Sequence, residues 1–225
     1  MNDTVVKTSG IEKYYGSGTS TIRVLNNINI EIKRGEIVSI VGPSGAGKST
    51  LLNLVGCLDT FQNGELFLIE KNISKLTVDA MSSLRNSHIG FIFQLHNLLP
   101  EFTALENIMM PLLIRRVRKN QAKEEALKYL DRFNLTERAS HLPSMMSGGE
   151  CQRIAVARAL IGKPDIILAD EPTGSLDSAN SNNLIDIMFG FANENKTTIM
   201  IVTHDKEIAS RTGRTIHLKD GRIVN

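Results

Sequence analysis

Several things are scarce or missing in this chain of 225 residues. It has two cysteines, Cys57 and Cys151, so no disulfide framework supports the fold and a reducing compartment is expected. No run approaches the roughly 18 consecutive apolar residues that a membrane-spanning helix requires. The amino terminus, Met1-Asn2-Asp3-Thr4, shows no basic region followed by an apolar stretch, so no secretory signal is expected. Neither sign of charge dominates. Twenty-six Lys and Arg face 24 Asp and Glu, a net +2, which argues against a polybasic tail or a protein that coats nucleic acid. Internal repeats and low-complexity linkers are absent. What remains, 41% hydrophobic and 22% charged residues, is an ordinary globular composition. At roughly 100–200 residues per domain, the length holds one domain or one core with an inserted subdomain. A soluble cytoplasmic protein is the expectation.

Short β-rich runs alternate with helical patterns. Residues 21–25 and 28–32 alternate apolar and polar, as half-buried strands do. Residues 37–41, 89–93, 166–169 and 197–202 are almost wholly apolar, which suits strands covered on both faces. Such strands, separated by helices, imply crossovers and a mainly parallel sheet, with an antiparallel layer before residue 35. Residues 215–218 and 222–224, joined across Asp220-Gly221, carry a hairpin signal. From about Leu98 to His141 the spacing is helical and no strand-like neighbour appears, so a helical insert is expected.

Gly42-Pro43-Ser44-Gly45-Ala46-Gly47-Lys48-Ser49 fits G-x-x-x-x-G-K-[ST], between a strand and the helical run from Thr50. Glycines let successive backbone N–H groups converge on one anion, and the helix start adds its positive dipole end. Lys48 is a point charge for β/γ-phosphates, and the Ser49 hydroxyl is placed to ligand Mg²⁺. The apolar strand 166–169 ends in two acids. Asp170 is expected to hold Mg²⁺, and Glu171, pointing differently, to polarise the attacking water. Ser147-Gly148-Gly149-Glu150 carries a capping box and opens the helix that Gly162 and Pro164 close. It is either an ordinary well-capped helix or a second anion site at a helix N-terminus, and its place 17 residues before the run 167–171 that ends in the two acids favours the second.

With these motifs in this order, the chain resembles the ABC-transporter ATPases over nearly its whole length. Residues 42–49 resemble the Walker A motif, 166–170 the Walker B motif and 146–150 the LSGGQ signature. The resemblance implies an α/β fold of the P-loop NTPase, ABC ATPase type. Its mainly parallel core would carry an antiparallel β layer and a helical subdomain of about residues 98–160, in one nucleotide-binding domain spanning 1–225. It makes Glu171, His204 and Gln94 catalytic, and Ser49, Gln94 and Asp170 the metal site. ATP would meet Tyr15, residues 42–50 (Gly42, Pro43, Ser44, Gly45, Ala46, Gly47, Lys48, Ser49, Thr50), Ser147, Gly148, Gly149 and the D-loop residue Asp177. It also implies a head-to-tail homodimer with each ATP between one Walker A loop and the partner's signature.

Residues 90–114 and 170–177 narrow the likeness to the group that holds the lipoprotein-releasing, MacB-like and FtsE-like ATPases. That group usually has Asn at 175, Leu at 146 and Gln or Arg at 151, where this chain has Ser175, Met146 and Cys151. The expected partners are integral membrane permeases of the LolC/LolE type, and the expected place is the cytoplasmic face of the inner membrane of a Gram-negative cell. A MacB-like exporter and an FtsE-like division or cell-wall regulator are alternatives; a DNA-maintenance ATPase is a remote one, because no sustained heptads are present. The oily stretch Met109-Met110-Pro111-Leu112-Leu113-Ile114 is either the insert's own core or a groove for a short permease helix. Arg115, Arg116, Arg118 and Lys119 are expected to be a solvated flank.

Overall fold

The computed structural model describes residues 3–16, 21–174 and 176–224. Two long strands, β1 (Thr4–Tyr15) and β2 (Ile22–Lys33), pair antiparallel and open the chain. Then come β3 (Ile37–Val41), α1 (Lys48–Val55), β4 (Asn63–Leu68), the two-residue β5 (Lys71–Asn72), α2 (Val78–His88) and β6 (Ile89–Ile92). Three helices follow, α3 (Ala104–Ile114), α4 (Lys119–Arg132) and α5 (Gly148–Leu160). The chain returns through β7 (Ile166–Asp170), α6 (Ser178–Asn195), β8 (Thr198–Val202), α7 (Lys206–Ser210) and the hairpin β9 (Arg214–Lys219) and β10 (Arg222–Val224).

The strands form two sheets, β2-β1-β4-β5 and β10-β9-β3-β8-β7-β6. In the second, β9, β3, β8, β7 and β6 are parallel neighbours and only β10 runs antiparallel. Its central strands are almost wholly apolar because alternate residues feed two different cores. Ile167, Ala169, Ile199 and Ile201 face a core built with α3 to α6. Ile166, Leu168, Met200 and Val202 face the other, shared with α1 and the antiparallel sheet.

Runs 21–25 and 28–32 prove to be one strand. Leu25 pairs with Lys13 and Ile28 with Ile11, so Asn26 and Asn27 together oppose Glu12 in a β-bulge. Asn27 takes φ 56°, a left-handed conformation Asn tolerates, and Asn29 Nδ2 donates to its carbonyl at 2.9 Å. The chain therefore bends without leaving the sheet. The antiparallel partner β1 escapes the alternation test because a charged residue points inward. Lys13 is buried, and its ammonium donates to Asp59 Oδ1 at 2.7 Å and Thr60 O at 2.6 Å.

The oily stretch divides between its two readings. Met109 and Leu112 lie in the core, while Met110, Pro111 and Ile114 line an open groove with Phe91 and Phe93. Arg115 corrects the expected solvated flank. It caps α3 at its C-terminus, and its guanidinium donates twice to Asn86 O and, at 2.7 Å, to Gly162 O. It ties α2 and the end of α5 to α3, whereas Arg116, Arg118 and Lys119 are exposed as expected. Arg115→Met keeps the aliphatic stem and orphans two carbonyls, so it should cost about 1–3 kcal/mol in chemical denaturation. An unchanged midpoint would return Arg115 to the surface.

Candidate active site

The phosphate loop joins β3 to α1, and two contacts dictate its glycines. Gly42 has φ 156°, and a Cβ there would stand 1.9 Å from Leu218 O of β9. At Gly47, the α1 N-cap with φ 99°, a Cβ would stand 2.8 Å from both Val24 O and a Leu25 methyl of β2. The hairpin closes the clamp, because Gly221 N donates to Ala46 O at 3.2 Å and Asn26 N to Gly221 O at 2.8 Å. Within the loop, Lys48 Nζ donates to Gly42 O and Pro43 O, both at 2.9 Å, which holds the ammonium across its mouth.

Parallel pairing brings the acids to the same edge. Asp170 ends β7 opposite Val202 of β8, and Glu171 N donates to Val202 O at 2.9 Å. Glu171 then adopts φ 47°, a left-handed conformation that costs a non-glycine residue on the order of 1–3 kcal/mol. That turn takes its carboxylate off the strand line, where His204 Nδ1, just past β8, meets Oε1 at 2.9 Å. An ionised carboxylate only accepts, so Nδ1 carries the proton and Nε2 is left with the lone pair, unless the ring is charged. Gln94 enters from the loop after β6. One cavity of about 630 Å³ is lined by Gly42, Ser44, Gly45, Gly47, Lys48, Ser49, Thr50, Gln94, Asp170, Glu171 and His204.

Other expected site residues stand elsewhere. Pro43 and Ala46 belong to the loop but do not line the cavity. Tyr15 stands off it and half-exposed, its hydroxyl bonded to Asp59 and the Lys13 ammonium 4.4 Å from its ring centroid. The bond to Asp59 raises the Tyr15 hydroxyl above its usual range. Asp177 caps α6, accepting from Asn180 N at 2.9 Å, and the bonds from Asn180 lower its carboxyl; Ser175 before it lies outside the described residues.

Ser147, Gly148 and Gly149 also lie outside the cavity. Ser147 and Gly148 are exposed at the start of α5, where Glu150 N donates to Ser147 Oγ at 3.2 Å and Ser147 N to Glu150 Oε2 at 2.8 Å. A Cβ on Gly148 would meet nothing within 4 Å, which leaves this helix end open to an approaching anion.

Three residues at or beside the site were not legible as site residues. Val24 and Val202 line the cavity, and their apolar type inside strand patterns gives no signal. Gln152 is fully buried, bonded to the carbonyls of Phe93 and Pro172 next to two cavity residues. It was detectable as one uncharged polar residue at a core position of an otherwise apolar helix face.

A glycine loop clamped between a buried strand and a helix start, facing two acids at the end of a parallel strand, defines the P-loop NTPase class. The family model described as ABC transporter matches residues 25–174, and the chain belongs to that family. It is an ATP-binding, ATP-hydrolysing enzyme of the transport-coupled kind. The lipoprotein-releasing system ATP-binding protein LolD of Bacteroides fragilis is 50% identical over 220 residues, 98% of this chain and all of its own length. LolD of Porphyromonas gingivalis is 50% identical over 98% of this chain and 99% of its own. The dimeric, post-hydrolysis structure of the ATP-binding cassette MJ0796 bound to ADP and Pi superposes with TM-score 0.93 at 41% identity, over 98% of this chain and 97% of that one.

The cap at the start of α5 sets a pH dependence. Arg138 Nε, 2.7 Å from Oε1, and the Ser147 amide hold the Glu150 carboxyl down at about 2, against an ordinary 4.5. Its folded value lies below its unfolded one, so the cap stabilises fully above the ordinary value and is lost as pH falls toward 2. The melting-temperature gap between wild type and Glu150→Gln should therefore narrow from about pH 6 to about pH 3. A gap constant with pH would mean that the carboxylate charge contributes nothing to the cap.

Proposed function

We propose that this chain is the ATPase subunit of a lipoprotein-releasing complex at the cytoplasmic face of the inner membrane, acting as a homodimer with permease subunits of the LolC/LolE type. The observation that carries the reading is the single cavity that gathers Lys48, Ser49, Gln94, Asp170, Glu171 and His204. Likeness to LolD proteins over nearly the full chain supports the cargo assignment. Among the described residues no helix is long and apolar enough to cross a membrane, so on this reading permeases supply the span.

Loop N–H groups and the α1 N-terminus would hold the β- and γ-phosphates, with Lys48 neutralising charge on both. Glu171 would orient a water and accept its proton, while His204, bonded to Glu171 Oε1, fixes that carboxylate and donates toward the γ-phosphate when charged. The metal set fits Mg²⁺. One hydroxyl (Ser49), one amide (Gln94) and one carboxylate (Asp170) line the same cavity, and no cluster of three or more His, Cys, Asp or Glu that could cage another metal exists among the described residues. When bound, Mg²⁺ would neutralise charge that develops on the phosphate oxygens. Ser147, Gly148 and Gly149 would meet the γ-phosphate held by the partner's loop, which accounts for their place outside their own cavity and for the exposure of Ser147 and Gly148. Tyr15 would stack on adenine, and Asp177 would face the opposing chain across the dimer.

The groove holding Phe91, Phe93, Met110, Pro111 and Ile114 would receive a short cytoplasmic helix of the permease. Ile114 is 62% exposed, so Ile114→Asp should leave the melting temperature intact and weaken co-purification of the permease. Retained co-purification would remove the groove from the interface.

In the reconstituted complex, lipoprotein release should require ATP. Glu171→Gln should still bind ATP while kcat falls about a hundredfold or more. Lys48→Ala should weaken ATP binding by about tenfold or more. ATP-dependent hydrolysis with no lipoprotein released would leave the ATPase and overturn the cargo.

A further inference from the structure

One buried side chain touches both catalytic loops. Gln152, in the second turn of α5, has no solvent exposure. Its Nε2 donates to Pro172 O at 2.7 Å and to Phe93 O at 3.4 Å. Its Oε1 lies 3.1 Å from His96 Nδ1. Since two carbonyls occupy the NH₂ side, Oε1 must be the acceptor and His96 Nδ1 must carry the proton. Pro172 follows Glu171, and Phe93 precedes Gln94. A single amide therefore grips the chain one residue from each of these two cavity residues, and it grips the far side of the Gln94 loop through His96.

The same helix holds that loop a second time. Arg158 donates to His96 O at 3.0 Å and to Asn97 O at 2.8 Å. The Gln94 loop is thus fastened to α5 at Phe93, His96 and Asn97, while Gln94 itself is exposed to the cavity. A buried carboxamide is expensive unless every polar atom is satisfied. Gln152 meets that demand with partners from two loops and none from its own helix. A leucine would fill a core position without this requirement, and it would leave the two loops independent.

We infer that Gln152 is a positioning residue for ATP hydrolysis, its carboxamide holding the Gln94 loop and the Glu171 turn in register with the helix that carries Ser147. This rests on the roles proposed above for Gln94, as part of the Mg²⁺ set, and for Glu171, as the group that orients the water. Because Ser147 is the N-cap of α5, five residues before Gln152, contact made at that end reaches both loops through about one rigid turn and a half.

The test is steady-state ATP hydrolysis and ATP binding by the full chain carrying Gln152→Leu, Gln94→Ala or both. Gln152→Leu should lower kcat by about tenfold while KM and ATP affinity stay within about twofold, since the phosphate loop is untouched. In the Gln94→Ala background the Gln152→Leu loss should shrink to about twofold, because both act through one loop. His96→Ala, at a partly exposed site that removes only the Oε1 donor, should lower kcat about threefold at constant KM, and it decides the matter if Gln152→Leu does not fold. Unchanged kcat, a rise in KM alone, or losses that simply multiply would overturn the inference. Wild type and Glu171→Gln run beside them: an active wild type, an inactive Glu171→Gln and an unaffected Gln152→Leu remove this inference alone, whereas an inactive wild type removes the hydrolytic reading with it.

Discussion

Backbone passing within touching distance of other backbone is the constraint on which this molecule is built. At Gly42 the phosphate loop leaves no room for a Cβ beside Leu218 O, and at Gly47 none beside Val24 O. Gly221 meets the same limit, because its Cβ would stand 2.4 Å from that same Val24 carbonyl. The loop is thereby wedged between the antiparallel sheet and the C-terminal hairpin, elements from opposite ends of the chain. Its N–H groups owe their direction to that wedge, since a glycine-rich loop without neighbours would sample many conformations. The antiparallel layer thus does more than cover a core: β2 forms one wall of the nucleotide cavity through Val24.

The second constraint is the two-faced parallel sheet. Its central strands bury both faces, so their chemistry concentrates at their carboxyl ends, where loops emerge. Asp170 and Glu171 leave β7 beside the residues that leave β8 and β6, which brings His204 and Gln94 into the same cavity. The left-handed turn at Glu171 separates two adjacent carboxylates into different directions. On the reading proposed above, the fold collects one half of an anion cage, and the open helix end at Ser147, exposed and outside this cavity, would be the half offered to a partner chain.

Motifs whose chemistry needs fixed spacing were legible in the sequence. The phosphate loop, the strand-terminal acids and the capping box are local, and the structure draws the first two together through parallel pairing. The tail hairpin and the buried strands were legible too, from Asp220-Gly221 and from unbroken apolar runs. What escaped depends on distant partners. The inward ammonium of Lys13 breaks the alternation of β1 and is compensated by Asp59, 46 positions away. Arg115 reads as surface charge until the carbonyls of Asn86 and Gly162 converge on it. Met109 and Met110 are adjacent and chemically alike, yet helix rotation sends one into the core and the other to a groove. Gln152 shows the same limit: its residue type is visible, but its two loops are brought to it only by folding.

On the proposed reading one chain holds half a hydrolytic site, and ATP joins two halves. Light scattering on the Glu171→Gln protein measures this directly. A species near the 24.8 kDa chain mass is expected without nucleotide, a species of twice that mass with ATP, and no such doubling when Ser147→Arg is added. A protein that binds ATP yet keeps its single-chain mass, or that doubles equally well with Ser147→Arg, would show that the Ser147 helix end does not complete the site.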